Sequence, residues 1–311
     1  MESYLGWKVD FRNPPGAPAF AGPDSVSWRV FKNPVALGVG GVAAVLLEFA
    51  DARIRSGVWD HSTYKVDPIG RSQRTGMAAM IGVYGPQVAA RRVIQGVSNM
   101  HARVKGQTPS GESYGALDVE LLDWVSATAG WGFLNAYDRF VAPLAEEEKL
   151  RFYAEGEPVG RLYGVQAPLS SDAHFNAMLE KLLPRFEPHP IVFEFLDIFQ
   201  SGGGAMGLPK SLRRAMARGA VSMLPPAVRA RLELGEVYDL SPLQRAMLRG
   251  MGALAERIPI TSAPPAKACQ RLGLPADFLY RSRDAQKRIL AKWTPPSPAA
   301  EPEKPLPQLA E

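Results

Sequence analysis

The residue whose type and setting point most directly to chemistry is His101. It lies in Gly96-Val97-Ser98-Asn99-Met100-His101-Ala102-Arg103-Val104-Lys105-Gly106, a stretch that otherwise reads as helix. Ile94 and Val97 precede it by seven and four residues, and Val104 follows by three. On a helix those positions share its face. The imidazole is therefore expected to point inward, where it needs a hydrogen-bond partner or a metal. A core histidine bonded to a carbonyl meets that need as well as a ligand does. Upstream stands Asp67-Pro68-Ile69-Gly70-Arg71-Ser72-Gln73-Arg74-Thr75. If a helix begins after Gly70, Arg71, Arg74 and Thr75 line one face. Two guanidiniums beside a hydroxyl suit an anion or a polarised oxygen, although a solvated basic helix start has the same composition.

Three further histidines compete for a ligand role. His61 follows a turn and is expected near the mouth of a pocket or at a cap. His174 and His189 sit in polar and proline-flanked settings and read as structural. Tyr114, Trp124, Trp131 and Tyr137 recur at near-helical intervals and read as core.

The elements that must position these residues are helices. Apolar periodicity predicts them over 35–55, 71–84, 86–105, 117–140, 145–165, 171–183, 190–200, 208–223, 226–232, 242–257 and 276–293. Asp24-Ser25-Val26-Ser27-Trp28-Arg29 has the character of a helix cap. Strict alternation of apolar and polar residues is absent, so strands have little support. Gly38-Val39-Gly40-Gly41-Val42-Ala43 matches a dinucleotide-binding pattern, but no strand precedes it and no βαβ alternation surrounds it. Close helix packing at small residues accounts better for those glycines.

The 311 residues, 46% hydrophobic, suffice for a sizeable core. The single cysteine, Cys269, excludes an intramolecular disulfide and suits a cytoplasmic setting. Met1 to Phe20 lacks the charged start and apolar core of a signal peptide. The uncharged run 35–47 is shorter than the roughly 20 residues a spanning helix needs. The net charge of +5 is uneven: residues 210–292 hold sixteen Lys or Arg against six Asp or Glu. Such a surface could meet nucleic acid or an anionic membrane, or be a solvated helical face. No zinc finger or RNA-recognition motif accompanies it, so no nucleic-acid partner is expected.

Taken in order, the chemical residues form a set: Trp28-Arg29, Gly57-Val58-Trp59-Asp60-His61-Ser62, Asp67-Pro68-x-Gly70-Arg71-x-x-Arg74-Thr75, Gly85, His101-x-x-Val104-x-Gly106 and Tyr114-x-Ala116-x-Asp118-x-x-Leu121-Leu122-x-Trp124-Val125. This set resembles the MpaB-like oxygenase family, which includes the latex-clearing rubber oxygenases. The resemblance runs from about Trp28 to Pro168 and continues more weakly to about Pro259. It implies an all-α fold enclosing one b-type haem, with His101 as proximal ligand to the iron and Arg71, Arg74 and Thr75 near the cofactor. It implies an oxidoreductase that uses O2 on an apolar organic substrate. The expected organisation is a Pro/Gly-rich arm over 1–24, the helical oxygenase domain over 25–293 and a disordered Pro-rich tail over 294–311. A haem carrier or sensor without turnover, and a haem-free interaction protein using the basic face, are the alternatives.

The chain departs from the rubber oxygenases at three points, one being Glu48-Phe49-Ala50-Asp51-Ala52, which stands where they commonly carry a Gln-x-Ala-His-Pro segment. They carry a lysine where Arg74 stands, and an always-charged guanidinium is no substitute as an iron ligand. They carry a glutamate upstream of the arginine element, where this chain has Arg55; the nearest acids are Glu48 and Asp60. Rubber is therefore not the expected substrate, and Glu48 or Asp60 is the expected acid-base group.

Overall fold

Proline, asparagine, aspartate and serine start the helices of this chain, and apolar stripes seal them together. The computed structural model describes residues 2–4, 7–201 and 208–297. Its helices are α1 (Val26–Phe31), α2 (Pro34–Phe49), α3 (Ala52–His61), α4 (Pro68–Tyr84), α5 (Gln87–His101), α6 (Val119–Phe140), α7 (Glu146–Leu162), α8 (Asp172–Leu182), α9 (Pro190–Ser201), α10 (Lys210–Met223), α11 (Pro226–Arg231), α12 (Pro242–Ala255), α13 (Pro264–Arg271) and α14 (Arg283–Leu290). The fold is all-α, as expected. Two short antiparallel ladders, β1 (Glu2–Tyr4) with β2 (Trp7–Val9) and β3 (Lys105–Gln107) with β4 (Ser113–Gly115), escaped the periodicity reading. Three-residue strands are too short to show alternation.

The central pair is α2 and α6, with α10 and α12 packed against the same helices. Gly40 and Gly132 meet at the α2–α6 crossing: a Cβ on Gly40 would lie 2.7 Å from the Gly132 carbonyl oxygen, and one on Gly132 would lie 2.6 Å from that of Gly40. The glycine-rich run is thus a helix crossing. Trp124 and Trp131 both stack on Phe175 of α8, which joins α6 to the C-terminal half.

The helix expected over 86–105 ends at His101, because the chain turns there into β3 and Val104 accepts from the Ala116 amide; three other predicted boundaries moved for local reasons. The segment expected as one helix over 35–55 breaks at Asp51, whose extended backbone lets its carboxylate accept from the Arg53 amide and cap α3. Asp51 also bridges to Phe186, and Glu187 donates its amide to the Ala50 carbonyl. Helix α4 starts at Pro68, capped by Asp67, rather than after Gly70. The predicted helix over 276–293 is a 3-10 turn at Phe278–Tyr280 followed by α14, which Ser282 caps. Helix α13, which the periodicity reading passed over, is short and opens on two prolines.

The N-terminal segment buries Val9, Phe11, Ala17 and Ala19. Arg271 of α13 fastens it, donating to the carbonyls of Ala17, Phe11 and Tyr84. Pro296 lies against Gly16 and Gly273; residues 298–311, most of the expected tail, lie outside the described residues. Among the described residues no helix is long and apolar enough to cross a membrane.

Candidate functional site

Helix α4 places Arg71, Arg74 and Thr75 in its second turn. Starting at Pro68 keeps the three on one face, because their spacing is unchanged. Arg71 is the centre of the arrangement. Its charge acts on His101 at the end of α5, on Glu48 at the end of α2 and on Tyr64 in the turn before α4. Its guanidinium also donates to the Thr75 hydroxyl, which donates in turn to the Arg71 carbonyl. Arg74 turns aside, to the Thr63 hydroxyl and the Asp67 carboxylate.

His101 is half-buried beside Ile94 and Val97, which are buried on its own helix. Among the described residues none hydrogen-bonds its ring. Burial, with the nearby Arg71 charge, lowers its pKa from 6.5. Both effects disfavour the cation, so the ring is neutral near pH 7 with a free nitrogen lone pair.

The structure separates the two expected acids. Asp60 is exposed, with Lys65 at 3.7 Å. Glu48 is the more enclosed of the two, half-buried, with Thr128 Oγ1 3.2 Å from its Oε1. Burial raises the Glu48 carboxyl to about 7, against the opposing pull of Arg71 and Thr128. Thr128 has a single hydroxyl proton and also lies 2.9 Å from the Val125 carbonyl. That proton is shared between Glu48 Oε1 and the Val125 carbonyl. Arg55, at the offset of the family's glutamate, is structural. It is buried and holds the Phe49 carbonyl and Glu187.

Because the folded state holds the Glu48 proton more tightly than the unfolded chain, stability falls as pH rises from 4.5 to about 7. Glu48→Gln removes that dependence. The variant is expected to be more stable than the wild type by about 2 kcal/mol above pH 7 and nearly equal at about pH 4.5. Urea midpoints at the two pH values check this; a gap that does not change with pH would assign Glu48 an ordinary carboxylate.

An apolar seam leads to this centre. Along α2, whose other faces are sealed, Leu37, Gly41, Val45 and Glu48 are half-buried on one stripe. On α6, Val125, Ala129 and Phe133 repeat the pattern. A Cβ on Gly41 would meet only the Phe133 ring, at 3.8 Å. These stripes form a seam of half-buried, mostly apolar residues along α2 and α6 that ends on α2 at Glu48. The cleft of about 740 Å³ on the surface is elsewhere, between His189, Phe193, Glu194, Asp197 and Glu233, and holds none of Arg71, Arg74, Thr75 and His101.

The remaining motif residues brace the chain after His101. Gly106 lies opposite Tyr114 across β3 and β4, and a Cβ on it would come 2.7 Å from the Tyr114 hydroxyl. That hydroxyl is 3.2 Å from His61 Nε2, and the Tyr114 ring is 3.5 Å from where a Gly57 Cβ would stand. Trp28 is buried, donates its indole to the Val83 carbonyl and accepts on its own carbonyl from the Tyr84 hydroxyl. His174 meets the Ser170 hydroxyl, and His189 accepts from the Ile191 amide. Sequence reasoning missed Thr128 and Tyr64. Their only sequence signal is that each is a hydroxyl residue in an element bordering the arginine segment, which is too common to select them.

Fold and site together define an all-helical protein in which half-buried Glu48 and His101 stand near the half-buried Arg71. The chain belongs to the family of ER-bound oxygenase mpaB/B'/rubber oxygenase catalytic domains, whose pattern matches residues 28–257. The match runs from α1 to just beyond α12, close to the extent of the resemblance. No curated protein and no solved structure matches the chain.

Proposed function

We propose that this protein is a haem-dependent oxygenase acting on an apolar organic substrate, with His101 as the residue that would hold the iron of a b-type haem. The observation that carries the reading is the His101 imidazole: half-buried, free of hydrogen-bond partners among the described residues, and biased to the neutral form by its burial and by Arg71. The donor set fits the group. A single imidazole donor suits an iron whose other ligands come from a macrocycle.

When bound, the haem supplies oxygen activation. This chain's residues do the rest. Arg71 and Arg74 supply the cations for the propionates, Arg74 by turning from Asp67. Thr75 offers a hydroxyl next to Arg71. The seam along α2 and α6 binds the substrate by its apolar surface and keeps water from it. Glu48, titrating near neutral pH, holds or releases a proton at its Oε atoms. The buried thiol of Cys269 is in keeping with a cytoplasmic setting.

The test is the visible spectrum of protein expressed with ample haem, beside His101→Ala. A Soret band of stoichiometric haem in the wild type, lost or shifted in the variant, is the expected result. A colourless wild type with a helical circular-dichroism spectrum would sink the proposal. Oxygen uptake with apolar substrates then separates an oxygenase from a haem carrier, which would bind haem without turnover.

A further inference from the structure

The solvent face of α12 does not look like the solvent face of a water-soluble helix. Leu243 is 81% exposed and Leu254 57%, and Ala246, Gly250 and Ala253 fill the surface between them. Positions 243, 246, 250, 253 and 254 fall on one side of the helix, opposite the buried Leu248 and Gly252. The chain leaving α12 continues the patch with Ile258 and Ile260, both about half exposed. A run of apolar side chains of this length facing water marks a contact surface.

The charges around it have one sign. Arg245 and Arg249 flank the apolar stripe on one side, Arg218 reaches Gln244 on the other, and Arg257 stands at its end. Arg139 borders Arg249, whose guanidinium donates to the Arg139 carbonyl. None of these five arginines has a carboxylate partner among the described residues, whereas Arg29, Arg53, Arg151 and Arg161 do. The single acid of the α12 segment, Glu256, turns inward to Lys32, Asn33 and Tyr137. Of the acids before α12, Asp239 is paired with Arg229, Glu233 lies at the cleft beside His189, and Glu236 stands next to the exposed Val237.

We infer that α12 and the segment to Ile260 form a docking surface for an anionic lipid bilayer, with the leucines and isoleucines entering the interface and the arginines meeting lipid headgroups. Charge complementarity selects this occupant. A second copy would bring arginines against arginines across a two-fold axis, and a nucleic acid would have no use for the leucine stripe. The helix lies on the bilayer: fourteen residues long, it does not span one. The inference stands apart from the haem reading.

The experiment is co-sedimentation of the full chain with vesicles of phosphatidylcholine alone and of phosphatidylcholine mixed with phosphatidylserine. Binding is expected only to the mixed vesicles, weakening with added salt. Arg245→Glu with Arg249→Glu is expected to lower it by about tenfold or more. Leu243→Ser with Leu254→Ser changes two exposed positions, so its circular dichroism should match the wild type while its binding is largely lost. Absence of wild-type binding to the mixed vesicles would overturn the inference. So would wild-type affinity in the folded leucine variant, or a DNA duplex that competes equally well against both proteins. A wild-type dimer by light scattering that Leu243→Ser dissociates would assign the face to a second copy instead.

Discussion

Gly40→Ala is expected to lower stability by about 3 kcal/mol, while Gly41→Ala at the next position leaves it unchanged or raises it by up to about 1 kcal/mol. Both replacements favour the helix by the same intrinsic amount, so the difference isolates tertiary contact. At Gly40 the new methyl would stand 2.7 Å from the Gly132 carbonyl oxygen and 2.8 Å from the Phe133 Cα. Those are backbone atoms of a central helix and cannot move alone; α2 and α6 must separate. At Gly41 the nearest atom is 3.8 Å away, an ordinary van der Waals contact. Gly132→Ala should cost about as much as Gly40→Ala, because it opens the same crossing from the other side. The double variant should cost clearly less than the two losses added, since helices already parted admit a second methyl cheaply. Urea unfolding of the four variants is the measurement. Equal effects at Gly40 and Gly41, or additive losses at Gly40 and Gly132, would contradict the crossing.

The second large effect is expected at Arg271. This guanidinium is 1% exposed and faces three carbonyls, with Nε donating to Ala17, Nη1 to Phe11 and Nη2 to Tyr84 at 2.7–2.8 Å. It has no ion-paired carboxylate among the described residues, and burial pushes its pKa down to about 10 against the smaller opposing effects of Cys269 and Asp10. Arg271→Met keeps much of the volume and removes the buried charge, but it strands three carbonyls. Each unpaired buried group costs about 1–3 kcal/mol, partly offset by the desolvation that the cation no longer suffers. The net loss expected is about 3–5 kcal/mol. Arg271→Lys retains the charge but not the fork that reaches three acceptors, so it should fall between the wild type and the methionine variant. Hydrogen exchange should rise first at residues 9–19 and at α13, because Arg271 is what ties them to the end of α4. Uniform loss of protection across α2 and α6 instead would show that the N-terminal segment folds only with the core.

The His101 reading illustrates what a linear pattern carries. The spacing of Ile94, Val97 and His101 carried the inward lean of the ring, because a helix repeats its faces at fixed intervals; Val104, expected on the same face, lies beyond the end of α5. The same regularity kept Arg71, Arg74 and Thr75 together although α4 begins three residues earlier than expected. Local competition was harder to read. Asp51 ends a run that periodicity treats as one helix, since its carboxylate gains more as a cap than as a side chain within the helix.

The sequence by itself therefore determined the helical class, the family-wide motif set and the inward face of His101, all of which rest on local propensity and on spacing along the chain. Only the tertiary structure decided which acid is the more enclosed, Glu48 rather than Asp60, and that Arg55 seals a chain turn. It also decided which of several glycines touches another helix and that Thr128 and Tyr64 border the arginine centre. Each of these depends on contacts between residues far apart in the chain. Such contacts follow from how helices stack, and no local pattern encodes the burial and charge they bring to a single carboxyl group.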